Sequence, residues 1–420
     1  MKALICKYKG LIESVLSLST LNMLNMLLPL LTMPYILPIV GPVKYGIYSY
    51  VYTLVQYLLL FSCYGFAFSA TKQIARKRDD LAAVSKIYSD VTYTKLLLAF
   101  VGILLGFILS PFLFKSEELL IFIWGIGIVI GDVFNPSWLY QGMEKMRYIT
   151  YVNVLSKLLF TVLIFFVVDT AEDYRYIILL NSFGFLLAGV VSTCIAYKQF
   201  GVRILRPSFI GIKQQLRDGA ALFGSTISIE LYKNSNVLIL KFFLGDYYVG
   251  IYSVAEKLIK GIRGAATPIS QALYPFFGRK FAKGTMSENI HSLYRTSYYI
   301  GALLLSFVVI TVVFAHPISM LFGGEEYTDT VPLMYIMSPV ILLGGLNYVL
   351  GFVGMVNLGY QRNFFYFVML SGIISLVFLL TTVNIWGMYA AAVAMTLSEL
   401  VLFINCVVFI YLKLKKVNYK

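Results

Sequence analysis

The chain has 420 residues, of which 59% are hydrophobic and only 13% are charged, and its mean hydropathy is +0.81. This composition lies far outside the range of soluble globular proteins and excludes a soluble fold. A formal charge of +14 would suggest a nucleic-acid ligand in a soluble protein. Here the basic residues lie between long apolar segments, so no nucleic-acid partner is expected.

Apolar segments long enough to cross a bilayer follow one another along nearly the whole chain. A helix that crosses about 30 Å of hydrocarbon needs about 20 apolar residues, and we predict about twelve such spans. The predicted spans are 11–40, 45–70, 87–110, 118–141, 148–168, 174–197, 217–243, 248–275, 290–315, 331–356, 364–383 and 387–412. The sequence therefore predicts an all-α integral membrane protein.

The loops between these spans alternate in charge. When the N-terminus and every second loop are assigned to one side, that side holds about 23 of the 34 basic residues and the opposite loops hold about three. The opposite loops are instead acidic, with Glu117, Glu172 and Glu325 among their residues. The positive-inside rule then predicts that both termini are cytoplasmic.

The loops offer little room for catalysis. None exceeds roughly twenty residues, which is too short for a catalytic domain. The two histidines, His291 and His316, have no neighbours at the spacing of a metal site or a catalytic triad. The four cysteines are scattered and show no disulfide or metal spacing. We expect neither an enzyme nor a cofactor or metal ion.

A motif after the first span recurs after the seventh. Gly-Pro-Val-Lys-Tyr-Gly-Ile-Tyr-Ser at 41–49 matches Gly-Asp-Tyr-Tyr-Val-Gly-Ile-Tyr-Ser at 245–253, and the matching residues are 204 positions apart. Because each half would hold an even number of spans, the halves form parallel repeats. We predict two pseudo-symmetric six-helix bundles around a central cavity. Their ranges are 1–200 and 217–420, joined by a cytoplasmic linker at 201–216.

The eighth span carries a polar stripe. Its members lie within about 80° on a helical wheel: Ser253, Glu256, Lys260, Arg263, Thr267 and Gln271. Charged side chains at bilayer depth usually line a water-filled path or pair with one another, so we expect this stripe to face the cavity. Glu256 and Lys260 are also spaced to pair along the helix, and Lys257 could extend to the surface.

Other spans carry isolated charges. Glu230 and Lys233 are spaced for an ion pair, although Glu230 could instead carry a coupling proton. Lys157 shares a face with Asn153, with Asp132 as a possible partner. Glu399 stands alone in the last span, either as a hydrogen-bonding group or as a proton carrier. The substrate-binding candidates are Arg263, Lys260, Lys157, Lys257 and Lys233. The ion-coupling candidates are Glu230, Glu399, Glu256 and Asp132.

One segment is similar to a family signature. Asn-Pro-Ser-Trp-Leu-Tyr-Gln-Gly-Met-Glu-Lys-Met at 135–146 resembles the signature of lipid-linked polysaccharide (O-antigen, Wzx-type) flippases. Similar stretches lie at 34–46, 250–257 and 272–275, and the resemblance extends over the whole chain. It implies the multidrug, oligosaccharidyl-lipid and polysaccharide exporter superfamily (MOP), whose MATE-like fold has two six-helix bundles around a central cavity.

This resemblance also implies a function. Such flippases move undecaprenyl-diphosphate-linked oligosaccharide repeat units across the bacterial inner membrane for O-antigen and surface polysaccharide assembly. They are expected to work by alternating access coupled to a gradient of H⁺ or Na⁺. Membrane lipids and other polysaccharide-assembly proteins are the further partners implied. A basic stripe suits a diphosphate, because Arg and Lys bind phosphate oxygens.

Two other functions stay open at this point. An ion-coupled multidrug exporter would share the fold, but a site for cationic drugs would need carboxylates without an Arg at the membrane midplane. A membrane glycan polymerase would need a substantial outer loop with catalytic residues, and the outer loops here are short and acidic.

Overall fold

The structure is a computed structural model that describes the backbone of residues 2–265, 267–281 and 284–418. Side chains are described for 28–220, 223, 224, 226, 227, 230, 234–265, 273, 274, 276–281 and 284–414. Within the described backbone the regular structure is entirely helical, with sixteen α-helices. The predicted all-α fold class is confirmed.

The α-helices run from one end of the described chain to the other. They are α1 (Lys2–Cys63), α2 (Phe66–Lys77), α3 (Leu81–Leu113), α4 (Ser116–Val133), α5 (Ser137–Gly142), α6 (Arg147–Val167), α7 (Tyr174–Phe200), α8 (Phe209–Phe243), α9 (Asp246–Gly264), α10 (Thr267–Phe281), α11 (Met286–Val313), α12 (Ala315–Gly323), α13 (Thr330–Met337), α14 (Pro339–Asn347), α15 (Gln361–Trp386) and α16 (Met388–Asn418). A π-helix, Tyr348–Val356, continues directly from α14.

The chain folds into two compact units. The first unit comprises Met1–Thr32 and Ile47–Ser228, and the second comprises Met33–Gly46 and Ile229–Lys420. In the first unit, residues 201–208 follow α7, have no regular secondary structure and pack on α3. There the Arg203 and Leu205 amides donate to the hydroxyls of Ser85 and Ser89.

The two copies of the repeated motif form similar turns. Gly41 interrupts α1 with φ 72° and ψ 166°, and Gly245 precedes α9 with φ 95° and ψ −174°. Positive φ with extended ψ is open to glycine and strained for residues that carry a Cβ. The glycines that match in the sequence are therefore the residues that make each turn possible.

Nine helical segments of the described chain are long and apolar enough to cross a membrane. They are Leu28–Lys77, Leu81–Leu113, Ser116–Gly142, Arg147–Val167, Ala171–Phe200, Met286–Val313, Thr330–Val356, Gln361–Trp386 and Met388–Leu414. The first has 50 residues and contains the break at Gly41, which separates the first two predicted spans.

The predicted count of twelve spans is not confirmed. The helices α8 and α9 are not among the nine. Side chains in part of α8 lie outside the described residues, and α9 carries five charged residues in 19. Such a charge density lowers the mean hydropathy below that of an ordinary membrane-spanning helix.

Candidate functional site

The helix α9 has one apolar face and one charged face. Its apolar side chains pack in the core of the second unit: Val249, Ile251, Tyr252, Val254, Ala255, Leu258 and Ile259 are buried. Glu256, Lys260 and Arg263 of the predicted stripe are less buried than this face. Ser253 is buried, and the side chains of Thr267 and Gln271 lie outside the described residues. Burial of the apolar face thus fixes where the charged face points.

Arg263 and Glu399 form an ion pair inside the second unit. The Arg263 Nη1 atom lies 2.9 Å from the Glu399 Oε1 atom. Asn347 Nδ2 donates to Glu399 Oε2 at 2.7 Å and to the Glu399 backbone carbonyl at 2.8 Å. The prediction that Glu399 stands alone is wrong, because helices α9 and α14 bring a cation and an amide to its carboxylate.

Gly344 provides the space that the Arg263 side chain occupies. A Cβ at Gly344 would lie 2.7 Å from the guanidinium carbon of Arg263, which is closer than real Cβ contacts allow. Gly344 and Asn347 both belong to α14, and the π-helix begins immediately after Asn347. Such π-helical segments often occur at functional sites. One element thus supplies the space for Arg263 and a donor for Glu399.

The other two cations of α9 also have partners. Lys260 Nζ lies 2.9 Å from Glu256 Oε1, the pair that their spacing allowed. Lys257 Nζ donates to the Tyr45 hydroxyl at 2.7 Å and lies 4.9 Å from the centre of its ring, a cation–π distance. The cations on the charged face of α9 therefore each have a partner but stay accessible. The exposed fraction is 47% for the Lys260 side chain and 36% for the Arg263 side chain.

Glu230 of α8 has a different described contact. Asn234 Nδ2 donates to Glu230 Oε2 at 3.2 Å. The Lys233 side chain lies outside the described residues, so its pairing with Glu230 stays a prediction.

Asp132 pairs with a residue that the sequence analysis missed. Lys95 Nζ lies 2.8 Å from Asp132 Oδ2 and 2.6 Å from the Asp132 backbone carbonyl oxygen, and the Cys63 thiol donates to Oδ2 at 3.3 Å. The predicted partnership of Asp132 with Lys157 is wrong, because Lys95 of α3 occupies that carboxylate. Lys95 is a charged residue within a predicted span, and this was the signal that could have identified it.

Lys157 lies beside a cavity between α6 and α7. Asn153, Ser156 and Phe160 line it from α6, and Asn181, Gly184, Phe185 and Ala188 line it from α7. Asn135, between α4 and α5, also lines it. All these residues belong to the first unit.

The signature segment at 135–146 has a structural role. The Tyr140 hydroxyl donates to the Ser192 backbone carbonyl at 2.5 Å, and the Trp138 ring packs 5.8 Å from that of Tyr88. Gly142 packs so closely on α2 that a Cβ would lie 2.6 Å from the Cβ of Ile74. The segment at 135–146 thus joins α5 to α2, α3 and α7.

The described residues contain no cluster of three or more His, Cys, Asp or Glu side chains arranged to hold a metal ion. The charged groups of this part of the chain instead form pairs and short hydrogen-bonded networks. Such groups can bind anions and exchange protons.

Residues 11–281 match the family described as "Polysaccharide biosynthesis protein". The chain is 29% identical over 393 residues to a protein of Escherichia coli (strain K12) named "Putative O-antigen transporter", covering 92% of this chain and 93% of that protein. A protein of the same name from Shigella dysenteriae is 26% identical over 317 residues, which are 75% of this chain and 78% of that protein.

Two kinds of solved transporter share the fold. The lipid II flippase MurJ in an inward closed conformation gives a TM-score of 0.75 at 11% identity, over 95% of this chain and 87% of that chain. An inward-facing multidrug resistance MATE family transporter of the MOP superfamily gives 0.72 at 14% identity, over 93% of this chain and 98% of that one. These identities are evidence for the fold, which is the MATE-like fold that the sequence predicts.

Proposed function

This chain belongs to the polysaccharide biosynthesis protein family, and on that premise we propose that it flips lipid-linked oligosaccharide across a membrane. The names of its E. coli and Shigella relatives support O-antigen repeat units as the cargo. The substrate would be a glycan linked through a diphosphate to undecaprenol. The protein would work in the bacterial inner membrane with both termini in the cytoplasm.

The paired but accessible cations of α9 are the observation that carries this proposal. In a site of reduced dielectric constant an unpaired cation is costly, and a paired one can exchange its partner. Glu256 and Glu399 compensate Lys260 and Arg263 while the site is empty. A diphosphate has more oxygens and more charge than a carboxylate, so it can take over both cations.

Arg263 is the central residue of the proposed site. In the described part of the chain its guanidinium makes one hydrogen bond, from Nη1 to Glu399. The guanidinium group is planar, and its Nη2 and Nε donors lie along one edge. A phosphate group can accept two hydrogen bonds from such an edge. Arg263 is thus able to bind a phosphate group in a two-pronged way while Lys260 and Lys257 add charge. Lys233 stays a proposed contact for another part of the substrate, whereas the small size of the cavity beside Lys157 argues against a substrate contact there.

The Arg263–Glu399 pair also supplies a route to ion coupling. When a diphosphate binds Arg263, the Glu399 carboxylate loses its cation and is free to take up a proton or Na⁺. By linkage, ion binding at Glu399 and substrate binding at Arg263 then favour each other. Glu256 would act in the same way with Lys260. Glu230 and Asp132 stay proposed coupling groups. Asn234 donates to Glu230, and Lys95 and the Cys63 thiol contact Asp132.

A complementation experiment tests this function. A strain that lacks the protein should lose surface polysaccharide and accumulate lipid-linked repeat units in the cytoplasmic leaflet, and the wild-type gene should reverse both effects. If surface polysaccharide stays normal while drug sensitivity changes, the protein is a multidrug exporter of the same fold. If the repeat units reach the outer leaflet but fail to polymerise, the polymerase alternative replaces the proposal.

A further inference from the structure

The cavity beside Lys157 has the size and polarity of an ion site. It has room for a small ion or for about one or two water molecules. Four side chains with amide or ammonium nitrogens line it: Asn135, Asn153, Lys157 and Asn181. This space is too small for a sugar or a diphosphate.

Lys157 brings an uncompensated positive charge to this cavity. It is the central residue of the 21-residue α6, about 15 Å from either end at 1.5 Å per residue. Among the residues whose side chains are described, Lys157 makes no ion pair and no hydrogen bond, and the cavity lining holds no carboxylate. The Asp132 carboxylate is engaged by Lys95.

Three other cations of the described chain that are more than half buried each have a carboxylate partner, whereas Lys257 has the Tyr45 hydroxyl and ring. Lys95 pairs with Asp132, Lys241 with Asp246, and Arg263 with Glu399. A charge at bilayer depth that lacks a counterion is costly. Lys157 has no such partner among the described residues, and an anion in the adjacent cavity would supply one.

The neighbouring polar groups favour an anion over a cation. The Asn135 Oδ1 atom accepts a hydrogen bond from the Ser192 hydroxyl, which leaves its Nδ2 as the free side of the amide. The Ser156 hydroxyl donates to the Gly184 backbone carbonyl. The Asn181 amide has no hydrogen bond among the described residues and can turn its Nδ2 toward the cavity. The Asn153 Nδ2 atom donates to the Ile149 backbone carbonyl, so the available donors are those of Lys157, Asn135 and Asn181. Ammonium and amide donors together can hold a small anion.

We propose that this cavity binds a small monovalent anion, with Lys157 Nζ and the amides of Asn181 and Asn135 as its donors. Chloride has the required charge and is the size of a small ion, somewhat larger than a water molecule. The bound anion neutralises Lys157 and stabilises the packing of α6 on α7. This site lies within the first unit and does not depend on which lipid-linked substrate the protein moves.

Thermal unfolding of the full chain in detergent tests the proposal. Chloride is exchanged for gluconate at constant ionic strength, so that screening is unchanged. A ligand that binds the folded state raises Tm with concentration, and we expect a rise of about 2–4 °C at saturating chloride. Bromide should act in the same way and give an anomalous diffraction peak beside Lys157 Nζ.

Matched variants locate the effect. Lys157→Met should abolish the dependence of Tm on chloride, and Asn181→Leu should weaken it. Lys198→Met, which changes an exposed lysine near the end of α7, should leave it intact. The readout is the difference between the two salts, so a change in the basal stability of a variant does not affect it.

Three results would overturn the assignment. Equal Tm in chloride and gluconate would show that no small anion binds, and a chloride effect that persists in Lys157→Met would place it elsewhere. A parallel series with inorganic pyrophosphate separates a free ion from a phosphate group: stabilisation by pyrophosphate alone, lost in Lys157→Met, would make Lys157 a phosphate contact. Failure of the proposed transport function would appear only in the complementation experiment.

Discussion

Gly46 and Gly250, which occupy equivalent positions in the repeated motif, pack directly against each other's backbone. A Cβ on Gly46 would overlap the Asp246 carbonyl oxygen, and a Cβ on Gly250 would overlap that of Pro42. Pro42 and Asp246 are themselves equivalent positions of the repeat. The contact is therefore reciprocal between the two copies of the motif, and both segments belong to the second unit.

We predict that a side chain larger than glycine's at either position separates these two turns. Gly250→Leu should destabilise the protein by about 1–3 kcal/mol, because overpacking forces the backbone apart. The measurement is Tm in detergent together with the amount of protein in the membrane. Gly224→Ala is the control, since its Cβ would meet nothing within 4 Å. Equal stability of Gly250→Leu and wild type would contradict the close contact.

Arg263→Ala should reduce transport by about 10- to 100-fold, which corresponds to one charged hydrogen-bonding group of about 1.5–3 kcal/mol. Arg263→Lys should recover part of this, because it keeps the charge and loses the two-pronged geometry. Complementation at matched membrane levels measures both. Arg295→Ala is the control, because Arg295 is exposed and lies over the Tyr299 ring.

A double variant separates substrate binding from charge balance at this pair. Arg263→Ala combined with Glu399→Gln removes both charges and so removes the cost of an unpaired carboxylate. If Arg263 binds substrate, the double variant stays inactive although its stability returns. The single variant Glu399→Gln, which keeps Arg263, measures how much of that loss comes from the proposed coupling role of Glu399. Recovery of transport in the double variant would show that Arg263 is only a structural counterion.

Gly344→Val should reduce transport by displacing the Arg263 guanidinium, because the new side chain takes the space of that group. The loss should resemble that of Arg263→Ala. Gly301→Ala is a suitable control, since its Cβ would be 3.6 Å from the nearest atom, an ordinary contact. Normal transport by Gly344→Val would mean that the position of Arg263 does not matter for the cargo.

Removing one partner of the Lys95–Asp132 pair should destabilise the first unit. Lys95→Met leaves a carboxylate without its cation and should cost about 3 kcal/mol, as when one partner of a buried pair is removed. Lys95→Met with Asp132→Asn should recover most of the lost Tm. A double variant that is stable but inactive in complementation would assign Asp132 to ion coupling, whereas an active one would limit the pair to a structural role.

Membrane topology is predicted from the loop charges alone and can be tested by labelling. In a background that lacks the native cysteines, Glu172→Cys should react with an impermeant thiol reagent from outside the cell. Lys283→Cys should react only after the cytoplasmic side is opened. Labelling of Lys283→Cys in intact cells would reverse the predicted orientation.

Local patterns in the sequence predicted local features of the structure. Apolar run lengths predicted the nine segments that are long and apolar enough to cross a membrane, although not a confirmed count of twelve. The repeated glycines predicted the turns at Gly41 and Gly245, and the four-residue spacing indicated the Glu256–Lys260 pair. Each of these depends on residues that are close in the chain or on a motif that occurs twice. For that reason they could be predicted without knowledge of tertiary packing.

The long-range contacts of the candidate site could not be predicted in this way. Arg263 and Glu399 are 136 positions apart, and Lys257 and Tyr45 are 212 apart. Helical periodicity shows which face of α9 is polar, but it does not show which helix that face meets. Glu399 therefore looked isolated in the sequence, although two other helices supply its partners.

The assignment of residues 33–46 to the second unit, between flanks that belong to the first, has a consequence for synthesis of the protein. The turn at Gly41 leaves the ribosome about 200 residues before Asp246 and Gly250, on which it packs. At about 5–20 residues per second this interval lasts about 10–40 s. During that time α1 has been synthesised, whereas the surface that completes its contacts has not yet been translated. The final packing of α1 is thus completed only after its synthesis, once the second copy of the motif has been translated.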